Sequence, residues 1–198
     1  HYLKKEKGIR NIYTYMSITS GVSDGNTVLI QAFYQTVPWL TVTMLGFLKS
    51  AEMIGRGLGG IFQYKKEIPV KNRYAFTKFV YTVYGLMDIL LLYLPYPLML
   101  CNRFLCGALG ISSATIRETA VQSYLPENMR ARINAFFNMV FAIGSVAFQM
   151  AAGAMGQIMS YRFAILLLAT IELTAMFLLI CLPAKENRPV YEAVRKTE

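Results

Sequence analysis

Charge is scarce in this sequence: Asp, Glu, Lys and Arg make up 16% of its 198 residues, against 55% hydrophobic residues. That leaves too few polar side chains to cover a water-facing surface around one compact core, so lipid is the expected solvent. Histidine is nearly missing, represented by His1 alone. A Ser/His/Asp or Cys/His set and an HExxH metal motif are therefore excluded, and no catalytic residue, metal or cofactor is expected. The three cysteines, Cys101, Cys106 and Cys181, all fall inside apolar stretches at spacings that fit no metal or redox motif. They read as small hydrophobes. The glycine run Gly55-Arg-Gly-Leu-Gly-Gly60 follows no strand and lacks a Gly-Lys-Ser/Thr ending, which removes a phosphate loop.

What is present is a series of long apolar runs. Crossing a hydrocarbon layer roughly 30 Å thick takes about 20 residues, and six segments reach that length: 11–34, 39–62, 75–94, 98–124, 133–159 and 163–182. Prolines and charges fall between them, at Pro38, at Lys65 to Arg73, at Pro95 and Pro97, at Pro126 to Arg132 and at Pro183. The expected fold is all-α, an integral membrane bundle of six transmembrane helices over 11–182. Residues 1–10 are expected to end a cytoplasmic linker, and 183–198 to form a cytoplasmic tail. His1 in place of a methionine, and a basic leader unlike a signal peptide, point to a natural start further upstream.

The basic residues test that count independently of hydropathy, because short translocated loops lose positive charge. The segments outside the spans form two alternating sets. One holds Lys4, Lys5, Lys7 and Arg10, then Lys65, Lys66, Lys71, Arg73 and Lys78, then Arg130 and Arg132, then Lys185, Arg188, Arg195 and Lys196; the other holds Arg162 alone. Both termini are therefore expected in the cytoplasm, with the chain integral to the plasma (inner) membrane. Twenty Lys+Arg against eleven Asp+Glu could suit nucleic acid, but a nucleic-acid reader gathers its basic residues on one folded face. Here they lie between apolar runs, so the lipid bilayer is the expected partner and nucleic acid is not.

Charges inside the runs are costly, about 2.5 to 3.5 kcal/mol each at a helix centre. Lys49, Arg56, Arg103 and Arg117 lie there with Asp24, Glu52, Asp88, Glu118 and Glu172. Lys49, Glu52 and Arg56, and the adjacent Arg117 and Glu118, are ion-pair candidates, whether for a pathway or merely to make the helices insertable. Arg103 is expected to snorkel to the outer interface. In the first run Thr14, Ser17, Ser20, Asp24, Thr27, Gln31 and Gln35 recur every three or four residues, placing them on one helical stripe. Such a stripe serves either a water-accessible substrate or proton site or hydrogen bonding between helices. Ser112, Thr115, Thr119 and Gln122 form a weaker stripe in the fourth run, and Asn134, Asn138, Ser145 and Gln149 another in the fifth. The third and sixth runs, apolar apart from Asp88 and Glu172, are expected to face lipid more. Gly55 and Gly59, and Ala152 and Gly156, have the spacing that lets helices touch backbone to backbone.

The glycine-rich end of the second run with Lys65, Lys66 and Arg73 resembles the glycine-and-basic loop of the major facilitator superfamily. The stretch from Gln122 through Pro126, Arg130 and Arg132 to Asn134 resembles the loop between helices ten and eleven in its drug-, macrolide- and siderophore-exporter branches. The acid and the Gly-Arg-Arg core usual in the first loop are missing. The resemblance covers almost the whole chain and implies its C-terminal six-helix half, with an N-terminal six-helix half of the same transporter as partner. It further implies that runs one, two, four and five line a central cavity where one half rocks against the other. The function so implied is proton-coupled export of a small amphipathic or hydrophobic molecule, with a small-molecule substrate and protons as partners. A carboxyl in an apolar cavity disfavours its charged form, so Asp24, then Glu52, are the proton-coupling candidates. Ser17, Ser20, Thr27, Gln31, Gln35, Ser112, Thr115, Thr119, Asn138, Ser145 and Gln149 are the substrate-cavity candidates. Two alternatives stay open: a stand-alone six-helix protein that dimerises into a carrier or channel, and a membrane-embedded enzyme.

Overall fold

The computed structural model describes residues 6–193; the expectations for Lys4, Lys5, Arg195 and Lys196 lie outside the described residues. Among the described residues the regular structure is entirely helical. The elements are α1 (Lys7–Thr36), α2 (Val42–Lys65), α3 (Val70–Leu91), α4 (Tyr96–Tyr124), α5 (Glu127–Ile158), α6 (Tyr161–Met176, continued by one π-helical turn, Phe177–Cys181) and α7 (Ala184–Tyr191). By length and composition α4, α5 and the α6 span Tyr161–Cys181 are apolar enough to cross a membrane. Large hydrophobic side chains point outward in number, Phe62, Phe79, Met139, Ile143 and Met150 among them, which is the reverse of a water-soluble bundle.

Start signals place the helices. Pro69, Pro95 and Pro126 immediately precede α3, α4 and α5, where a missing N–H costs nothing and φ is already set. The hydroxyls of Thr41 and Ser160 accept from the backbone N–H of Met44 and Phe163 and so cap α2 and α6. Trp39, expected to open the second span, sits instead in the turn before that cap. The stretch 127–132, expected as loop, is the first turn and a half of α5. Glu127 there complements the helix dipole and Arg130 Nε donates to the carbonyl of Leu125.

The helices associate as two antiparallel pairs, α1 with α5 and α2 with α4, while α3 and α6 pack together behind them. In the α2/α4 pair a Cβ added at Gly55 would stand 2.0 Å from the carbonyl oxygen of Phe104, one at Gly59 2.5 Å from that of Ala108, and one at Gly107 2.1 Å from that of Glu52. These backbones therefore touch. Gly57 and Gly60 have open space around them, so only half of the glycine run belongs to the contact. Direct contact between α1 and α2 is sparse, and the pairs are held together from behind.

Two hydrophobic clusters fill the bundle. One, around Ile12, Tyr15, Tyr74, Ile116, Ile180 and Tyr191, lies at the end that carries both described chain ends, and is called here the terminal end. The other, around Leu29, Leu48, Leu91, Met99, Ile165 and Leu168, lies at the far end. The expectation that the third and sixth spans face lipid is corrected in part. Each keeps an outer apolar face, but α3 buries Tyr74, Thr77, Tyr81 and Asp88, and α6 buries Glu172 among its alanines and leucines. A carboxyl in a run with no basic residue on its own helix face needs a partner on another helix, so these acids turn inward.

Residues 183–198 are not simply a polar tail. The π-helical turn spreads the last turn of α6, and its freed carbonyls are taken up: Asn187 Nδ2 donates to those of Leu179 and Ile180 (2.6 and 3.1 Å), and the Tyr74 hydroxyl donates to that of Ile180 (2.6 Å). The chain folds back, and α7 buries Asn187, Val190 and Tyr191 against α1, α3 and α4. Gly8 lets the start of α1 approach it, since a Cβ there would meet the carbonyl oxygen of Glu186 at 2.3 Å.

Candidate functional site

A groove runs between the two helix pairs. It consists of three cavities of about 260, 320 and 290 Å³, in order from the far end to the terminal end. Neighbouring cavities share walls, with Ser23, Arg56 and Tyr84 common to the first two and Met16, Arg117 and Phe141 to the last two.

The far cavity gathers Asp24, Thr27 and Gln31 from α1 with Lys49, Glu52 and Arg56 from α2. Six residues singled out by spacing alone on two separate helices thus meet in one space. Arg56 pairs with Glu52 at 2.7 Å, one helical turn apart. Asp24 accepts a hydrogen bond from Ser145 Oγ on α5 at 2.5 Å, and Ser145 in turn accepts from Gln149 Nε2 at 3.0 Å. The α1 and α5 stripes therefore join through the carboxyl of Asp24.

Behind this cavity lies a buried cluster that spacing did not reveal. Asp88 Oδ1 accepts from Arg103 Nη2, and its Oδ2 accepts from Asn26 Nδ2 at 2.9 Å. All three side chains are buried, so the expectation that Arg103 snorkels outward is overturned. A buried guanidinium needs a buried carboxylate, and α3 supplies one at matching depth. The cluster ties α1, α3 and α4 together on the far side of the groove.

The middle cavity is lined by Thr19 and Ser20 of α1, Tyr81 and Tyr84 of α3, Ser113 and Arg117 of α4, Phe141 of α5 and Glu172 of α6. Thr19 Oγ1 donates to Glu172 Oε1. Glu172, 3% exposed, has no basic nitrogen within 4 Å among the described residues. The terminal cavity brings Asn138 together with Arg117, Glu118, Gln122 and Asn134. Asn134 Oδ1 accepts from the Tyr13 hydroxyl at 2.7 Å and from Gln122 Nε2 at 3.2 Å, and the Tyr13 and Phe137 rings stack 3.9 Å apart.

Other expected residues are not brought to the groove. Ser112 opens on a separate apolar cavity behind α2 and α4 and donates to the carbonyl of Ala108. Thr115 and Thr119 lie on the exposed surface, Thr115 bonding the carbonyl of Ile111. Ser17 donates to the carbonyl of Tyr13, and Gln35 is exposed past the far cavity. On α4 the groove is faced by Ser113 and Arg117, one residue round from the stripe read by spacing. Isolated acids in otherwise apolar spans, Asp88 and Glu172, were the signal for the residues that spacing missed.

The sequence model of the Major Facilitator Superfamily matches residues 72–197, more than half of the chain. The chain belongs to the major facilitator superfamily. No curated protein and no solved structure matches it. The matched stretch runs from the start of α3 to past α7, so α1 and α2 stand outside it. A major facilitator superfamily chain is an integral membrane protein that moves a solute, and a polar groove between helices whose outer faces are apolar suits that work. Polar residues at membrane depth line cavities or pair with one another, and here they do both.

Proposed function

We propose that this chain is one six-helix half of a proton-coupled exporter of small amphipathic or hydrophobic molecules, working by alternating access. Helices α1, α2 and α3 have 30, 24 and 22 residues. At 1.5 Å per residue each exceeds the roughly 30 Å hydrocarbon layer, so on this reading all six long helices cross and both termini face the cytoplasm. The three less apolar helices include the two whose polar faces border the far cavity. The groove then becomes one wall of a central path, and a second six-helix half supplies the other.

One observation carries the reading. Asp24 lies on the groove with a neutral donor, Ser145, and no close cation, whereas Glu52 is held by Arg56. A carboxyl bonded only by a hydroxyl changes its protonation at less cost than one locked in an ion pair. Asp24 is therefore the first proton-exchange residue, and Glu52 the second, available once its pair with Arg56 opens. In vesicles containing the complete protein, Asp24→Asn is expected to abolish efflux driven by a pH gradient while membrane insertion stays normal. Gradient-driven efflux at the unmutated rate in that variant would overturn the assignment.

A further inference from the structure

We infer that the groove receives its substrate as an amphipathic organic anion whose carboxylate seats on Arg117; this rests on the transport reading above and names the substrate class. Three arginines border the groove, and two of them are already neutralised, Arg56 by Glu52 at 2.7 Å and Arg103 by Asp88. Arg117 is not. Its side chain is 12% exposed, its Nη1 donates to the Tyr81 hydroxyl at 3.3 Å, and its Nε has no partner. The nearest acid, Glu118, lies 3.9 Å away on a side chain that is 67% exposed. That distance is too long for a hydrogen bond, and water screens the exposed carboxylate. A guanidinium mostly removed from water and so poorly matched favours an incoming carboxylate or phosphate, which its planar fork can hold with two bonds.

Position and surroundings add to the charge argument. Arg117 stands in the wall common to the 320 Å³ middle cavity and the 290 Å³ terminal cavity, so an anion there is reachable from either. Tyr81, Tyr84, Phe141, Met16 and Ile111 supply the apolar surface of the middle cavity, enough for an aromatic or aliphatic body beside the charged head. Glu172, contributed by α6 and bonded by Thr19, faces the same cavity and disfavours a second negative charge at that position. A monoanion with an uncharged body therefore fits better than a dianion.

Three probes with one ring system separate the possibilities: 2-naphthoate, 2-naphthamide and 2-naphthylmethylammonium, measured by equilibrium dialysis against the complete protein in lipid nanodiscs. Naphthoate is expected to bind at least about tenfold more tightly than the amide, the scale of one charge-assisted hydrogen bond. Arg117→Gln is expected to erase that preference while leaving amide binding in place. Should the variant fail to insert, the order of the three probes on the unmutated protein decides alone. Equal binding of naphthoate and amide, preference for the ammonium, binding of none of them, or a preference that survives Arg117→Gln would each overturn the anion assignment. Gradient-driven flux in the unmutated protein is read separately, so the transport reading stands or falls apart from this result.

Discussion

The two helix pairs that flank the groove are built differently. Across α2 and α4 the spacing is set by carbonyl oxygens lying where Cβ atoms of Gly55, Gly59 and Gly107 would be. Across α1 and α5 the corresponding position, Gly21, faces the ring of Phe148 at 2.5 Å, and Gly25 meets the carbonyl oxygen of Phe148 at 3.1 Å. Backbone cannot yield, whereas a ring can turn. The α2/α4 pair is thus a stiff bar, and the α1/α5 pair, which holds Asp24 and Ser145, has more freedom to adjust. In a protein that rearranges around a groove, the softer wall carries the carboxyl and the stiffer wall carries the ion pair of Glu52 and Arg56.

The largest effect should come from the tie between the pairs. Asp88→Asn strands the buried Arg103 and is expected to cost about 3 to 5 kcal/mol, read as a fall in the melting temperature of the purified protein; Asp88→Asn with Arg103→Gln should recover part of the loss. If the single change is silent, the pairs are held by something other than Asp88. Next, Gly107→Ala forces α2 and α4 apart and is expected to cost on the order of 1 to 3 kcal/mol or more, against clearly less for Gly21→Ala. Equal losses at both positions would erase the proposed difference in stiffness. Gly57→Ala, in open space within the same glycine run, should change stability by no more than about 0.5 kcal/mol in either direction from that expected of an exposed helical glycine.

The smallest effect concerns α7, outside both pairs. Burial, then the neighbouring Tyr81, holds the Tyr191 phenol well above its ordinary value near 10. A group whose proton is bound more tightly in the docked state stabilises docking fully below that ordinary value and loses the contribution as pH rises above it. Hydrogen exchange across residues 184–191 should therefore accelerate above about pH 10, and Tyr191→Phe should flatten that dependence at a cost of about 1 kcal/mol. Exchange independent of pH would mean that Tyr191 leaves its seat at no cost.

Much of this architecture is legible in the residues. The apolar runs and the prolines between them mark all six long helices to within a few residues, because those signals are local. Periodicity on α1 is strong enough to bring Asp24, Thr27 and Gln31 to one cavity, since a 30-residue helix leaves little doubt about which residues share a face. On α4 the reading went one residue astray: Ser112, Thr115 and Thr119 bond their own backbone or face outward, and Ser113 and Arg117 face the groove. Helical hydroxyls that satisfy themselves on the preceding turn need no cavity, so they are weak witnesses. Asp88 with Arg103, and Glu172 with Thr19, escaped because their partners sit on different helices, and nothing in a single helix's spacing encodes a match of depth across two. The tail was misread for a similar reason: Asn187 and Tyr191 acquire their roles only where α6 opens its last turn.

That opened turn has a geometrical corollary. A π-helical turn holds one more residue than the regular helix would, so taking a single residue out of Phe177–Cys181 would let α6 wind on without interruption. Everything downstream would then swing by about 100° about the helix axis. Val190 and Tyr191 would face away from their seats, and the carbonyls now capped by Asn187 would return to the helix. One inserted residue, rather than any contact it makes, aims the end of the chain back beneath the bundle.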